Sequence, residues 1–260
     1  MNWIKKQLKN WKLYELLFLV GSIIAITVCF VVGKEKNVLS FIGSLVGITG
    51  VLFTAKGLVS APFLNMIYGV FYIIVSFYQK YYGEAIIYLA LMTPLDIITI
   101  ISWLKNRNKD NSSTVKINKI HGIEYLYLAI GTAIATVGFY FLLRALNTNQ
   151  LIISTISLIT SAVAAYLMFR RCSYYALGFM LNDIVLIVLW SLVVVDSGIG
   201  YLPTVISFCV FLINDTYGFT LWKLEEKKQN KNQNYIENVG NDNVEAKELE
   251  EKIDTLDNKE

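Results

Sequence analysis

The stretch Asp96-Ile97-Ile98-Thr99-Ile100-Ile101-Ser102-Trp103 has a counterpart in Asp215-Thr216-Tyr217-Gly218-Phe219-Thr220-Leu221-Trp222. Each opens on an aspartate, runs through six further residues to a tryptophan, and meets a lysine within two positions, Lys105 in one case and Lys223 in the other. A second pair, Phe63-Leu64-Asn65 and Met180-Leu181-Asn182, opens an apolar run in the same way. The aspartates stand 119 residues apart and the asparagines 117, so one shift joins both pairs. Self-similarity at a single interval marks a duplicated unit and decides how the rest of the chain divides.

The unit is a membrane one. Hydrophobic residues make up 55% of the 260, charged residues only 17%, and mean hydropathy is +0.50, which excludes an ordinary water-soluble globule. The apolar residues come in blocks of about twenty, the length a helix needs to cross roughly 30 Å of hydrocarbon. Eight blocks can be drawn, at 13–32, 38–55, 61–79, 83–104, 123–143, 150–169, 173–195 and 201–222. The repeat maps spans two to four onto six to eight, leaving span five as a connector and span one as an extra. Copies four crossings apart lie the same way round, so the repeat is parallel, about an axis along the membrane normal. The expected fold is an all-α integral membrane protein: an extra N-terminal helix and two parallel three-helix bundles joined by a linker helix. The divisions fall at 1–37 (N-terminal segment and extra helix), 38–104 (first repeat), 105–149 (loop and linker helix), 150–222 (second repeat) and 223–260. The last is a Glu-, Lys-, Asn- and Asp-rich tail, expected to be disordered, with a short partner-binding helix over 244–256 as the alternative.

Lys5, Lys6, Lys9 and Lys12 precede span one in the manner of a secretory signal. The apolar run is too long for that, however, and ends at Gly33-Lys34-Glu35-Lys36 without a small-residue cleavage pattern. With the N-terminus placed inside, fifteen Lys and Arg near the span ends fall on the cytoplasmic side and four, Lys34, Lys36, Lys80 and Arg144, outside. Cationic loops are retained in the cytoplasm, so both termini are expected there, in the cell (inner) membrane.

Some chemistries lack their residues. Cys29, Cys172 and Cys209 are scattered singly, which suits neither a disulfide framework nor a zinc site and reads as small packing residues. His121, the sole histidine, sits in a linker, so a His-based triad or multi-His metal centre is not on offer. No GxxxxGK[ST] loop is present for ATP. No enzyme, cofactor or nucleic-acid partner is expected.

Carboxylates in lipid are costly, on the order of 3 kcal/mol by insertion scales, so Asp96, Asp183 and Asp215 must face protein or water. Asn65, Tyr68 and Tyr72 share one helical face at i, i+3 and i+7, and Asn182, Asn214 and Tyr217 add further polar groups. Amides and carboxylates hydrogen-bond a sugar, and aromatic faces beside a carboxylate hold a cationic ring. Such side chains also tie helices together, and both readings stand at this stage. Trp3, Trp11, Trp103 and Trp222 flank spans and read as interface anchors, whereas Trp190 lies inside span seven. Gly43, Gly47 and Gly50 form a small-residue stripe that permits close helix packing.

From about Val38 to Trp222 the chain resembles the PnuC-type nicotinamide riboside and vitamin transporters. The resemblance rests on the Lys56-Gly57 turn leading through Ser60 to Asn65, the Tyr82-Gly83-Glu84 opening of span four, and the paired ends Trp103-Leu104-Lys105 and Trp222-Lys223. It implies a SWEET-like arrangement of three helices, one, and three, assembled as a homotrimer. It also implies facilitated diffusion of the vitamin, which phosphorylation inside the cell then traps. Nicotinamide riboside members carry a Trp-x-x-Trp pair where Tyr175 and Gly178 stand here, an amide at the position of Tyr88 and a Gln at that of Asp96. These departures keep thiamine, riboflavin and deoxynucleosides open as substrates, nicotinamide riboside remaining first. The substrate-binding residues expected are Asn65, Tyr68, Tyr72, Tyr175, Asn182, Asp183, Asn214 and Asp215. The expected partners are that small molecule and the bilayer. A non-transporting scaffold or sensor acting through the tail is the alternative from another class.

Overall fold

The computed structural model describes residues 11–33, 37–108 and 114–257, with side chains to residue 231. Trp3, Lys5, Lys6, Lys9, Lys34, Lys36 and Lys109 lie outside the described residues, and the apolar spacing over 244–256 lies outside the described side chains. The described residues form helices α1 (Leu13–Val32), α2 (Val38–Ala55), α3 (Ala61–Tyr78), α4 (Tyr82–Lys105), α5 (Gly122–Ala145), α6 (Leu151–Phe169), α7 (Tyr175–Ser197) and α8 (Leu202–Asp257). All eight are long and apolar enough to cross a membrane. Residues 1–222 make one compact unit and 223–260 another. In the second, the backbone is helical to Asp257 where composition predicts disorder. Lys223 to Glu226 at 2.9 Å and Gln229 to Glu225 at 3.1 Å are the i,i+3 and i,i+4 pairs that favour helix there.

Local chemistry sets the boundaries. Asn37 caps α2 by accepting from the Ser40 amide at 2.8 Å, and Pro62 occupies the first turn of α3, where its missing N–H is harmless. α4 is not uniform: Tyr88–Met92 is a π-helical turn. Pro94 follows it, a residue that cannot donate to the helix ladder, and Thr93 gives both its amide and, at 2.8 Å, its hydroxyl to the Tyr88 carbonyl.

The chain turns alike after α2 and after α6, and α2–α4 and α6–α8 are termed the first and second halves. Gly57 has φ +63° and Arg171 φ +58°, and they are 114 residues apart. Around each, the chain closes with the same bonds: Gly57 N to Thr54 O and Leu58 N to Phe53 O, against Arg171 N to Met168 O and Cys172 N to Leu167 O. α7 has 23 residues and α3 has 18, and those five extra residues carry the offset from 114 at the turns to 119 at Trp103 and Trp222. The asparagines therefore do not correspond: Asn65 is eight residues past its turn and Asn182 is eleven past Arg171, one helical turn further along.

Trp103 and Trp222 were expected at the lipid interface. Both are buried, their rings are 5.7 Å apart, and each indole N–H donates at 3.1 Å to a carbonyl of the other half, Met168 O and Thr54 O respectively. A segment of the α4–α5 connection crosses this end: Val115 N donates to Gly57 O at 2.9 Å and Asn118 N to Arg171 O at 3.0 Å, so it touches both equivalent turns. Val115 itself is buried with the two tryptophans and Tyr175. α1 docks through buried Glu15, which receives Lys56 Nζ at 2.5 Å and Tyr217 Oη at 2.7 Å, and through Tyr14, whose hydroxyl lies 3.0 Å from that of Tyr217. Of the cysteines, Cys172 is buried, Cys29 is half-buried and Cys209 is exposed, so packing explains Cys172 better than Cys209.

Candidate functional site

Among α2, α3, α4, α6, α7 and α8 lies a partly open cavity with about 700 Å³ of non-atom space, its mouth included. Of the eight expected residues, Asn65, Tyr68, Tyr175, Asn182, Asp183 and Asp215 line it. Asp96 joins them from α4. Two do not. Asn214 instead donates to Val51 O at 2.9 Å and fixes α8 against α2. Tyr72 stands one layer away, where it accepts from Trp190 Nε1 at 2.8 Å and donates to Glu84 at 3.3 Å.

Each polar wall is aimed by a neighbour. Asn182 Oδ1 accepts Thr160 Oγ1 at 2.8 Å and Ser161 Oγ at 2.9 Å from α6, which leaves its amide N–H groups for the cavity. Asn65 is held the other way round: its Nδ2 donates to Thr54 Oγ1 at 3.2 Å, leaving its oxygen as acceptor. One wall thus offers donors and the other an acceptor, a pairing that suits a ligand carrying both, such as a carboxamide or a ribose diol.

The carboxyl groups of Asp183 and Asp215 lie side by side between α7 and α8. Asp183 Oδ2 is buried without a partner. Two neighbouring carboxylates repel, and a cation beside them relieves the repulsion. Asp96 reaches the cavity because the π turn precedes it, with Tyr88 and Met92 of that turn on the same wall.

Sequence reading missed the aromatic roof. Tyr88, Phe208 and Phe211 line the cavity there, with Tyr68 packed edge-on at 6.2 Å from Tyr88 and 5.7 Å from Phe211, and Phe179 lines it nearer the tryptophan end, 6.2 Å from Tyr175. In a chain with Phe at 14 positions and Tyr at 16, no spacing separates these rings from those facing lipid. The glycine stripe of α2 does pack closely: a Cβ on Gly47 would fall 2.7 Å from Phe211 and 2.8 Å from Tyr68, and one on Gly50 2.6 Å from Asn65 Oδ1. The stripe thereby seats three cavity residues. Trp190, left open in the sequence, is wholly buried.

A multi-pass helical membrane bundle around a cavity walled by amides, carboxyls and rings is built to hold a small organic molecule. The chain belongs to the nicotinamide mononucleotide transporter family, whose model matches residues 37–224; it is a membrane transporter and not an enzyme. It is 25% identical over 228 residues to the nicotinamide riboside transporter PnuC of Neisseria mucosa, covering 85% of each chain. It also resembles the crystal structure of the vitamin B3 transporter PnuC, at 24% identity and a TM-score of 0.77, over 88% of this chain and 98% of that one.

Proposed function

We propose that this transporter takes up nicotinamide riboside. The carrying observation is the acidic lining of the cavity: Asp96, Asp183 and Asp215 line it, and among the described residues no Lys, Arg or His does. The riboside is a cation through its pyridinium ring, and the aspartates supply its counter-charge. A mononucleotide adds a phosphate that would meet three carboxyls and no cation. The donor face of Asn182 and the acceptor face of Asn65 suit the carboxamide and the ribose. Riboflavin and deoxynucleosides are neutral and leave the aspartates uncompensated. Thiamine is a cation of similar size and is the second reading, favoured by the same aspartates and by Tyr175 standing in place of a tryptophan.

Transport on this reading is facilitated diffusion by alternating access between two three-helix halves joined by α5 in a SWEET-like three, one, three order. Intracellular phosphorylation keeps the product in the cell. The protein sits in the cell (inner) membrane with both termini in the cytoplasm, which places the tryptophan end inside, and it assembles as a homotrimer. The reciprocal tryptophan bonds and matched turns support the two-half arrangement. Calorimetry of the purified protein with nicotinamide riboside, the mononucleotide, thiamine, riboflavin and a deoxynucleoside tests the substrate, with uptake into proteoliposomes beside it. Binding of the riboside without the mononucleotide is expected. Heat from the mononucleotide alone overturns the charge argument, and silence from all five favours the scaffold reading.

A further inference from the structure

Above the aromatic roof, away from the tryptophan end, lies a carboxyl group that the cavity does not account for. Glu84 is wholly buried at the start of α4. Its Oε2 accepts Tyr72 Oη at 3.3 Å and Ser157 Oγ at 3.2 Å, and Tyr72 Oη in turn accepts Trp190 Nε1 at 2.8 Å. Tyr72 and Glu84 belong to the first half, and Ser157 and Trp190 to the second. The chain Trp190 to Tyr72 to Glu84 to Ser157 therefore crosses between the halves twice. It lies towards the end opposite Trp103 and Trp222, so each end carries hydrogen bonds between the two sets of helices.

A helix tie needs no acid. Asn or Gln would accept the same two hydroxyls without the several kcal/mol that a carboxyl group in a membrane interior costs. Nor is the group balanced by a base: among the described residues no Lys, Arg or His pairs with it, and its Oε1 has no partner at all. Two more buried polar atoms beside the network lack partners: Ser154 Oγ, three residues before Ser157, and Ser76 Oγ, four after Tyr72. Ser154 lies against Gly83, whose added Cβ would meet Ser154 Cβ at 2.9 Å and its Oγ at 3.2 Å. The network also leads to the cavity. Tyr72 packs on Tyr88 at 4.2 Å and on Tyr68 at 5.7 Å, and both of those rings line the cavity roof. Towards the membrane surface, Tyr81 and Tyr201 pack against Trp190 at 6.1 and 6.3 Å. Burial and the Asp196 carboxylate push the Tyr81 phenol up, so it stays neutral.

We propose that Glu84 is an entry site for the cationic substrate, on the path between the outer surface and the central cavity, and that a cation engaging it draws it away from Tyr72 and Ser157 and so opens the outer gate. This rests on the cationic-substrate reading above. The free Oε1, Ser154 Oγ and Ser76 Oγ are the groups left to receive the cation and its sugar hydroxyls. Asp183 and Asp215 receive it next, one aromatic layer further in.

The test has an arm that does not depend on which vitamin is carried. In the full chain with Cys29, Cys172 and Cys209 replaced by alanine, Ser154→Cys places a thiol beside Glu84. In proteoliposomes presenting the outer face, a trimethylammonium methanethiosulfonate is expected to label it at least tenfold faster than the sulfonate analogue. Glu84→Gln, which keeps both accepted hydrogen bonds, should bring that ratio close to one, and Ser157→Ala, which keeps the charge, should leave it high. The second arm uses the riboside: Glu84→Gln raises the KM of uptake about tenfold while the Kd of the purified protein stays within twofold, and Glu84→Asp restores part of the loss. Equal labelling rates with Glu84 present, no labelling by either reagent, or an unchanged KM overturns the proposal. An equal rise in Kd and KM does so too. If Glu84→Gln fails to reach the membrane, the labelling ratio with Glu84 intact decides alone. Absence of riboside binding by the wild type sinks the substrate reading and leaves the labelling arm to be judged separately.

Discussion

Trp103 and Trp222 each hang an indole N–H, at 3.1 Å, on the last turn of the opposite half's first helix, with their rings 5.7 Å apart. The bond from each half is answered by the same bond from the other, so this end is held by a reciprocal clasp. Thr54 O carries the heavier share, since it accepts Gly57 N and Tyr175 Oη as well as Trp222.

Trp222→Phe keeps most of the ring packing and removes one N–H donor, which is worth about 1 kcal/mol. The purified protein should melt a few degrees lower, and Trp103→Phe should do the same. The double variant should depart from additivity because the rings touch. Trp222→Ala, which empties a buried site, should cost about 3–5 kcal/mol. Melting curves in detergent that leave either Phe variant unchanged would show the reciprocal bonds to be idle.

Gly50→Ala places a methyl group 2.6 Å from Asn65 Oδ1, and Gly47→Ala one 2.7 Å from Phe211. Overpacking of this kind costs about 1–3 kcal/mol, and here the atoms that must yield line the cavity. Substrate affinity is expected to fall at least about tenfold in both. Gly131→Ala and Gly138→Ala on α5 meet nothing within 4 Å and should bind as the wild type does. Titration calorimetry across the four variants checks the contrast.

Asp183→Asn removes charge but not shape from a side chain with an unpartnered Oδ2. Loss of a buried counter-charge of this kind is worth about 2 kcal/mol or more, so riboside binding should weaken about thirtyfold. A neutral riboside analogue should lose much less. Equal losses for the charged and neutral ligands would show that Asp183 acts through packing alone.

Glu15→Ala takes from Lys56 and Tyr217 the partner that docks α1. Removing one side of a buried ion pair costs about 3 kcal/mol, and a melting temperature lowered by several degrees is expected. Glu15→Gln should fall between, since an amide still accepts from Tyr217. An unshifted melt in the alanine variant would make α1 an independent appendage.

The eight spans were legible because lipid allows only one length and one composition, and α4 and α8 betrayed their kinship through Asp, six residues and Trp. The fate of those tryptophans was not legible. A Trp at a span end is written the same way whether it faces headgroups or a second Trp, and only tertiary pairing tells them apart. Six of the eight expected residues line one cavity, and for the four that are carboxyls or amides the reason is that such a group in an apolar run has few acceptable surroundings. Tyr72 does not line the cavity, since i+7 puts it on the same face as Asn65 but two turns higher, behind Tyr68 and Tyr88. Asn65 and Asn182 looked equivalent because their interval fell between the offset of the turns and that of the tryptophans. Only coordinates show that the five added residues of α7 lie between those two landmarks. Glu84 was visible in Tyr82-Gly83-Glu84 and passed over because it stands near a span end, where a carboxyl group normally reaches water.

Those five residues make α7 about 7.5 Å taller than α3 at a rise of about 1.5 Å each. The second set of helices therefore reaches about a turn and a half further from the paired tryptophans than the first, and the membrane face opposite that clasp is built unevenly.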